Sequence, residues 1–272
     1  MILQNLHTHS TYCDGSDTPE EMVKEAIDRG FSSLGFSIHS YTPFSELYHF
    51  PFENQGLYIK EISRLKEKYK DTFPIFCGIE FEMYSDTDIP EYDYIIGSVH
   101  YLKKDGELFS IDRDVDTLKS IIANRFGGDG LALAKYFYET VARLPEWIKF
   151  DIAGHFDLIT KNLENFVLFD NHSKEYKNYA LEALHAVSEH CDIFEINTGA
   201  IARGYRTTPY PDTFILEELK KLGKNVLISS DCHNKKYLDC KFKECYELLK
   251  SLGFKNTVVF DGTGFKEVPL ED

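Results

Sequence analysis

Asn5-Leu6-His7-Thr8-His9 (residues 5–9) places two histidines one residue apart in the first apolar run of the chain. A β-strand over Ile2–His9 would aim both imidazoles at one face, because residues i and i+2 of a strand point the same way. Cys13-Asp14-Gly15 follows, with a glycine suited to a tight turn. Two imidazoles on one face with a carboxylate nearby make the start of a cation site, since neutral imidazole and carboxylate both bind divalent metals. An H-x-H also arises by chance in a strand. Its weight therefore depends on how the other strands end.

Outward from this stretch, short apolar runs alternate with amphipathic segments. Ser16-Asp17-Thr18-Pro19-Glu20-Glu21 has a capping residue, a proline in the first turn and acids behind it, which predicts a helix running to about Arg29 and stopped by Gly30. Ser33–His39 is the second predicted strand. The polar and aromatic stretch Ser40–Gly56 exceeds the usual connection length and reads as a functional lid or substrate loop. A helix over Leu57–Tyr69 would place Ile59, Ile62 and Leu65 on one face. Further strands are predicted at Pro74–Glu82, Tyr92–Tyr101, Phe150–Asp157, Ile193–Thr198 and Asn225–Asp231, with a possible eighth at Asn256–Phe260. Helical patterns fall at Thr117–Asn124, Leu131–Leu144, about Lys174–Cys191, Thr213–Leu222 and Leu238–Leu252. Leu102–Asp116 is charged and reads as exposed. Gly127-Gly128-Asp129-Gly130 reads as a flexible break rather than a phosphate loop. With no internal repeat, low-complexity segment or linker, residues 1–272 read as one domain.

Strands alternating with helices imply a parallel sheet covered on both faces. A closed β/α barrel and an open doubly wound sheet fit that alternation equally well, and the placement of polar residues decides between them. Strand one ends in His7 and His9, strand two in His39, and strand three carries Glu80. Strand four ends in His100, strand five carries His155, strand six holds Glu195, and strand seven ends in Asp231-Cys232-His233. In a β/α barrel such ends converge on one mouth, where catalytic residues lie. A single strand-terminal histidine is ordinarily a hydrogen-bonded structural residue, but that explanation weakens when it must hold six times at one edge. His49, His172, His185 and His190 fall in loops or helices and are read as non-ligands. The candidates exceed what one zinc takes and suit two or three metals, with Glu80 available as a bridge. Their nitrogen and oxygen donors fit zinc, iron or manganese and disfavour calcium, and multinuclear sites of this kind favour hydrolysis of phosphate esters.

The formal charge of −15 argues against a broad attraction to nucleic acid. No apolar run approaches the ~20 residues of a transmembrane helix, and the start MILQNLHTHS lacks the pattern of a signal peptide. The six cysteines form no CxxC pair, so reduced thiols and a cytoplasmic location are expected. Cys13 and Cys232 flank candidate ligands and are read as packing residues.

The ordered set His7-Thr8-His9, Cys13-Asp14-Gly15, His39, Gly78-Ile79-Glu80, Gly97-Ser98-Val99-His100, Gly154-His155 and Asp231-Cys232-His233 resembles the polymerase-and-histidinol-phosphatase (PHP) family. His155-Phe156-Asp157-Leu158-Ile159 and Glu195-Ile196-Asn197-Thr198 look most like members acting on histidinol phosphate. The resemblance implies a distorted seven-stranded β/α barrel with a trinuclear metal centre, and makes Asn256–Phe260 an addition to the barrel or no strand. It implies one metal on His7, His9, Glu80 and Asp231 and a second on Asp14, His39 and His233. A third would sit on His100 and His155, bridged by Glu80. The implied reaction is hydrolysis of L-histidinol phosphate to L-histidinol and phosphate, in histidine biosynthesis. The substrate phosphate needs a cationic clamp, for which Arg203 and Arg206 follow strand six, Arg203 being favoured. The family pattern has arginine where this chain has Lys161, which keeps the charge and loses the fork. Glu195 has no place among the metals and is expected behind them or in contact with substrate. Asp231, His233 or a coordinated water is left to protonate the leaving alkoxide.

Three other readings compete. A phosphodiesterase or nuclease of the same family sits badly with the −15 charge and the lack of a basic, aromatic-laced groove. A metal-sequestering protein without turnover has no need of Arg203. A metal-dependent amidohydrolase also begins with H-x-H, but no lysine stands as an obvious bridging ligand.

Overall fold

Along Ser33–His39 the apolar Leu34, Phe36 and Ile38 alternate with Ser33, Gly35, Ser37 and His39, and all seven residues are buried. A strand so patterned is covered on both sides, by helices on one and by a barrel interior on the other. The protein is seen in a computed structural model that describes residues 2–45, 52–86 and 92–270. Its strands are β1 (Gln4–Asn5), β2 (Ser33–His39), β3 (Ile75–Glu82), β4 (Tyr94–Ser98), β5 (Tyr101–Lys104), β6 (Glu107–Ser110), β7 (Ile152–Ala153), β8 (Ile193–Asn197), β9 (Asn225–Ser229), β10 (Asn256–Phe260) and β11 (Phe265–Pro269). Seven of them form one parallel sheet in the order β1-β2-β3-β4-β7-β8-β9. Beyond β1 and β9, Thr8 bridges Cys232 in parallel, and the His9 N–H donates to the Cys232 carbonyl at 2.9 Å. This seam joins the two edges, so the sheet is a distorted barrel and not an open doubly wound one.

Helices cover the outside. The first, Pro19–Asp28, starts as the sequence predicts: Thr18 accepts from the Glu21 N–H, and its own N–H donates to the Glu21 carboxylate at 2.9 Å. The helix Glu53–Tyr69 begins inside the expected Ser40–Gly56 loop and buries Tyr58, Ile62 and Leu65, with Ile59 at the margin. Ser40, at the start of that loop, is tied to β3 by its N–H to the Glu80 carbonyl and by its hydroxyl, which accepts from the Glu82 N–H, both at 2.9 Å. Residues 46–51 of the loop, His49 among them, lie outside the described residues.

The lower half of the barrel interior is apolar. Leu6, Phe76, Tyr94, Ile96, Ile152, Ile193 and Leu227 cluster there with Val258 and Phe260. Tyr94 lies across the interior because β2 and β3 offer glycine where it passes. A Cβ on Gly35 would come within 2.4 Å of its hydroxyl, and one on Gly78 within 2.3 Å of its ring. The run Asn256–Phe260 does form a strand, but it pairs antiparallel with β11 in a separate two-stranded sheet and closes the bottom of the barrel. Gln4 fastens it by accepting from the Phe260 N–H at 2.7 Å and donating to the Phe260 carbonyl at 2.8 Å.

Two expectations are corrected. Leu102–Asp116 is not an exposed charged stretch: β5 and β6 form a hairpin whose Leu102 and Phe109 are buried, as is Ile111 beyond it. Its turn, Asp105-Gly106, takes positive φ at both residues, as a two-residue hairpin turn requires. β1, β7 and β9 also stop short of the predicted ends, because the chain leaves the ladder before His7, His155 and Asp231 and bends those side chains towards the mouth. The Gly127-Gly128 break is a turn of two positive-φ glycines, after which Asp129 caps the next helix by accepting from Leu131 N–H at 2.9 Å.

Candidate metal centre

Three groups of side chains, each with ligand atoms close enough to share one metal ion, overlap at the C-terminal rim of the barrel. They are His9, Asp14, His39 and His233; His7, His9 and Glu80; and Glu80, His100 and His155. Glu80 stands at the centre. Its Oε2 lies 2.9 Å from His39 Nδ1, 3.2 Å from His7 Nε2 and 3.4 Å from His9 Nε2. Its Oε1 lies 2.8 Å from His155 Nε2 and 3.2 Å from His100 Nε2. Asp231 stands at the edge of the group around His7, with Oδ1 3.2 Å from His9 Nε2 and 3.7 Å from His7 Nε2. His233 Nε2 meets Asp14 Oδ2 at 3.1 Å, and its ring stacks on His9 with centroids 4.2 Å apart.

Fixed groups behind these side chains aim them inward. Glu195 is fully buried under His7 and accepts from its Nδ1 at 2.6 Å, from the His155 N–H at 2.8 Å, from Asn197 Nδ2 at 3.0 Å and from the Ser229 hydroxyl. A proton held on Nδ1 leaves His7 Nε2 as the lone-pair nitrogen. Glu82 does the same for His100, accepting from its backbone N–H at 2.7 Å and its Nδ1 at 3.1 Å. Cys13 Sγ lies 3.4 Å from His9 Nδ1, and burial and Asp14 push its thiol pKa up to about 12, so it stays protonated beside that ring.

The residues present fit a cation. His7 Nε2, His9 Nε2 and Glu80 Oε2 are shut off from solvent and make no hydrogen bond, although they face one another. Buried polar atoms are ordinarily satisfied, and a divalent ion is the partner that nitrogen and oxygen donors so placed accept. The electrostatics agree. Burial lowers an imidazole pKa, yet Glu195, Glu80 and Asp231 outweigh it and hold His7 well above its ordinary value. Against the same burial, Asp14 and Glu80 raise His39, and Glu80 and Glu82 raise His100, each to about 10. His9 falls to about 3 through burial and the neighbouring His233 and His39. Glu80 and Asp231 are held below the carboxylate range against burial, by His7, His39 and His100 for the first and by Arg203 and His7 for the second. The cluster thus carries anionic charge that draws positive charge in.

A cavity of about 190 Å³ opens above the cluster, and Lys161, Arg203, Tyr205 and Asp112 complete its walls. Arg203 donates from Nη2 to Asp231 Oδ2 and from Nη1 to the Asp231 carbonyl, both at 3.0 Å. A Cβ on Gly199 would come within 2.8 Å of Asp231 Oδ2 and 2.9 Å of Arg203 Nη2, so glycine makes room for this pair. Asp231 itself takes φ +45°, a left-handed conformation that turns its carboxylate back over the mouth.

Two sequence-based expectations fail here. Arg206 is neither at the mouth nor exposed. It is buried against Tyr210, 3.9 Å from Asp157, and donates to Thr160 and Thr208. The short helix Gly199–Ala202 and Gly204, with φ +77°, turn the chain so that Arg203 and Arg206 point to different sides. Glu195 is no substrate contact, since His7 and His155 cover it. His172 and His190 are exposed, and His185 pairs with Glu218 at 3.0 Å on the outer surface, so none of the three joins the cluster.

The PHP domain family model matches residues 5–199 of the 272. The chain belongs to the PHP domain family. This PHP domain chain is 26% identical to the histidinol-phosphatase of Bacillus subtilis (strain 168) over 249 residues, which is 84% of the chain and 92% of the relative. Its fold is similar, with a TM-score of 0.74 and 20% identity, to that of histidinol phosphate phosphatase from Lactococcus lactis subsp. lactis Il1403, solved in complex with zinc, L-histidinol and phosphate. That likeness spans 97% of this chain and 98% of the other. Among the described residues of this PHP domain chain, no helix is long and apolar enough to cross a membrane.

Sequence reasoning passed over Glu82, Asp112 and Tyr205. Glu82 shares the inward face of β3 with Glu80 by the two-residue period, so its signal was present. Asp112 follows the hairpin misread as exposed, and Tyr205 stands between the two arginines that drew attention.

Proposed function

We propose that this PHP domain protein is a metal-dependent phosphomonoesterase that hydrolyses L-histidinol phosphate to L-histidinol and phosphate, a step of histidine biosynthesis. The observation that carries the reading is the overlap of three ligand groups, two sharing Glu80 and two sharing His9, beneath a mouth walled by Arg203 and Lys161. The named relatives supply the substrate. Three divalent cations, zinc, manganese or iron, would be held by His7, His9 and Glu80 with Asp231 at the edge, by Asp14, His39 and His233 with His9, and by Glu80, His100 and His155. Such cations make water nucleophilic at neutral pH and neutralise charge on phosphoryl oxygens.

The chain's own residues do the rest. Arg203 presents a guanidinium fork at the mouth for two phosphate oxygens, and Lys161 adds a point charge. Glu195 and Glu82 hold His7 and His100 in the tautomer that turns Nε2 inward. Arg203 and His7 hold Asp231 below the ordinary carboxylate range against burial, and Asp231, His233 or a coordinated water is left to protonate the leaving alkoxide. The formal charge of −15 supports a small phosphorylated substrate over a nucleic acid, and the six free cysteines support a cytoplasmic setting.

The test is phosphate release from L-histidinol phosphate, an aryl phosphate and a panel of nucleotides, before and after chelation and after manganese or zinc is restored. Preference for L-histidinol phosphate, lost on chelation and regained with metal, is expected. Metal binding without release from any ester would make the chain a sequestering protein. Preference for a nucleotide or diester would move it to another phosphoesterase activity.

A further inference from the structure

Behind the mouth, Arg206 is buried with its charge poorly matched. Two carboxylate oxygens, Asp157 Oδ2 and Glu164 Oε1, stand 3.9 and 4.0 Å from it, and its Nε makes no hydrogen bond. Burying a charge so loosely paired costs desolvation that the pairing does not recover, so stability is a weak reason for an arginine here. What the guanidinium does make is a bridge between two segments. Nη1 donates to the Thr160 hydroxyl, on the segment after β7. Nη2 donates to the Thr208 hydroxyl at 3.2 Å and to the Pro209 carbonyl at 3.5 Å, on the segment after β8. Glu164 and Asn165 join the same two segments at the surface, Glu164 by accepting from the Thr207 N–H at 2.7 Å and Asn165 by donating to the Tyr205 carbonyl at 3.1 Å. The contact of Arg206 with Thr160 is the buried one. The two cations of the mouth stand one on each segment. Lys161 follows Thr160 directly, and its N–H closes the turn Leu158–Thr160 on the Leu158 carbonyl at 3.0 Å. Arg203 stands three residues before Arg206.

We propose that Arg206 is a positioning residue: by clasping Thr160 to Thr208 and Pro209 it sets the spacing between Lys161 and Arg203, and so shapes the clamp for phosphate. This rests on the phosphatase reading above and adds what spaces its two cations. A dianion gains fully from two cations only when their spacing matches its oxygens, and a small misplacement forfeits part of the second contact. A buried hydrogen bond fixes that spacing because neither partner has water to turn to. The tip of Lys161 is held separately, by its contact with Asp112 and by the Tyr205 ring 4.5 Å away. Whether tip or base decides where the ammonium stands is what the experiment separates.

Inorganic phosphate is titrated by calorimetry into the metal-loaded protein, as wild type, Thr160→Val, Thr160→Ser and Arg206→Lys, with metal content measured on each. Thr160→Val keeps the shape of the side chain, removes the hydroxyl and leaves Arg206 in place, so it tests the clasp even where Arg206→Lys fails to fold. Thr160→Val is expected to raise the phosphate Kd about tenfold with metals retained. Arg206→Lys, which keeps the charge and loses the fork, should do the same, and Thr160→Ser should return to within about twofold of wild type. The deciding readout is the same change in a Lys161→Met background. With no second cation left to place, Thr160→Val should there alter Kd by less than about twofold. A Kd in Thr160→Val within about twofold of wild type, or an equal loss with and without Lys161, overturns the proposal and makes Arg206 a packing residue. Esters left uncleaved by a wild type whose phosphate Kd responds as expected would refute the phosphatase reading and uphold the clasp. No phosphate binding by the loaded wild type overturns both.

Discussion

Replacing Glu195 with glutamine keeps the shape of the side chain and changes its hydrogen-bonding sense. As a carboxylate Glu195 only accepts, and four donors converge on it. Glutamine offers one oxygen. If its NH₂ takes the place of Oε2, it faces the His155 N–H and the Asn197 amide. Asn197 cannot turn over without losing its Oδ1 contact to the Gly199 N–H at 2.8 Å. If the NH₂ takes the place of Oε1, the Ser229 hydroxyl can reverse, but His7 must give up the proton on Nδ1. That proton moves to Nε2, the nitrogen facing Glu80 at 3.2 Å. A charge-assisted hydrogen bond is worth about 1.5–3 kcal/mol and an unsatisfied buried donor costs about 1–3 kcal/mol, while removing the buried charge returns part of its desolvation cost. The net expectation is a stability loss of about 2 kcal/mol. Metal affinity should fall about ten- to a hundredfold, as when groups orienting a metal-binding histidine are lost. Urea unfolding of chelated protein measures the first, and metal content after dialysis against a fixed free-metal buffer the second. Unchanged stability with full metal content would refute the orienting role. A loss of activity alone, with both of those intact, would restore Glu195 as a substrate contact.

Glu80→Gln removes the negative charge shared by all five surrounding imidazoles. It should abolish most phosphate release and lower the number of metals retained; wild-type turnover would end its bridging role. Arg203→Ala, at a side chain 35% exposed, should lower kcat/KM for the phosphate ester about ten- to a hundredfold with metals retained; loss of metal instead would show that Arg203 acts by holding Asp231. Burial raises the fully buried Asp157 to about 6 against the pull of Arg206. Its folded pKa exceeds the ordinary 3.8, so the folded form keeps its proton longer. Stability should therefore fall as pH rises from about 4 to about 6, by up to about 3 kcal/mol, and then level off. Asp157→Asn should flatten that slope in urea unfolding across pH 4–7, and an unchanged slope would show that the group is not raised. Phe260→Ala, which deletes a ring packed edge-on against Phe76 at 4.9 Å and against Tyr94 at 5.8 Å, should cost about 3–5 kcal/mol without altering metal content. A cost under about 1 kcal/mol would mean that the hairpin does not close the barrel.

The site was readable because a barrel needs only strand ends to build one. His7 and His9 project together by the two-residue period, with Thr8 between them turned away to donate to the Gly35 carbonyl at 2.8 Å. The register sets His39 beside Glu80 on the neighbouring strand, and neither strand alone shows it. What could not be read is depth and direction beyond the strands. Glu195 lies one inward position below Asn197, and whether a carboxylate at that depth faces the mouth or the back of a ligand depends on the stagger between strands. Arg206 is three residues from Arg203, yet beyond the positive-φ Gly204 it packs against Tyr210, Thr160 and Asp157 and does not line the mouth. The hairpin bringing Asp112 to the mouth was marked by Asp105-Gly106, and its lysines and acids hid the buried cross-strand pair of Leu102 and Phe109.

The same barrel interior is asked to do two opposed things, and the sequence separates them by height. At the mouth, carboxylates and imidazoles lie buried at 2.8–3.4 Å from one another around Glu80. Their anionic charge must be met by protons on His7, His39 and His100 or by cations that displace them, so this half gains its order from what it binds. The bottom needs no such help. Tyr94 fills the space left by Gly35 and Gly78, and Phe260 and Val258 complete an apolar plug against Leu6, Ile96, Ile152 and Leu227. Removing that surface from water, at about 25 cal/mol per Å², holds the strands at their spacing whatever the protonation of the mouth. The hairpin of β10 and β11, outside the parallel sheet, is therefore part of how the mouth is kept in shape: it supplies at one end the packing that polar ligands at the other end forgo.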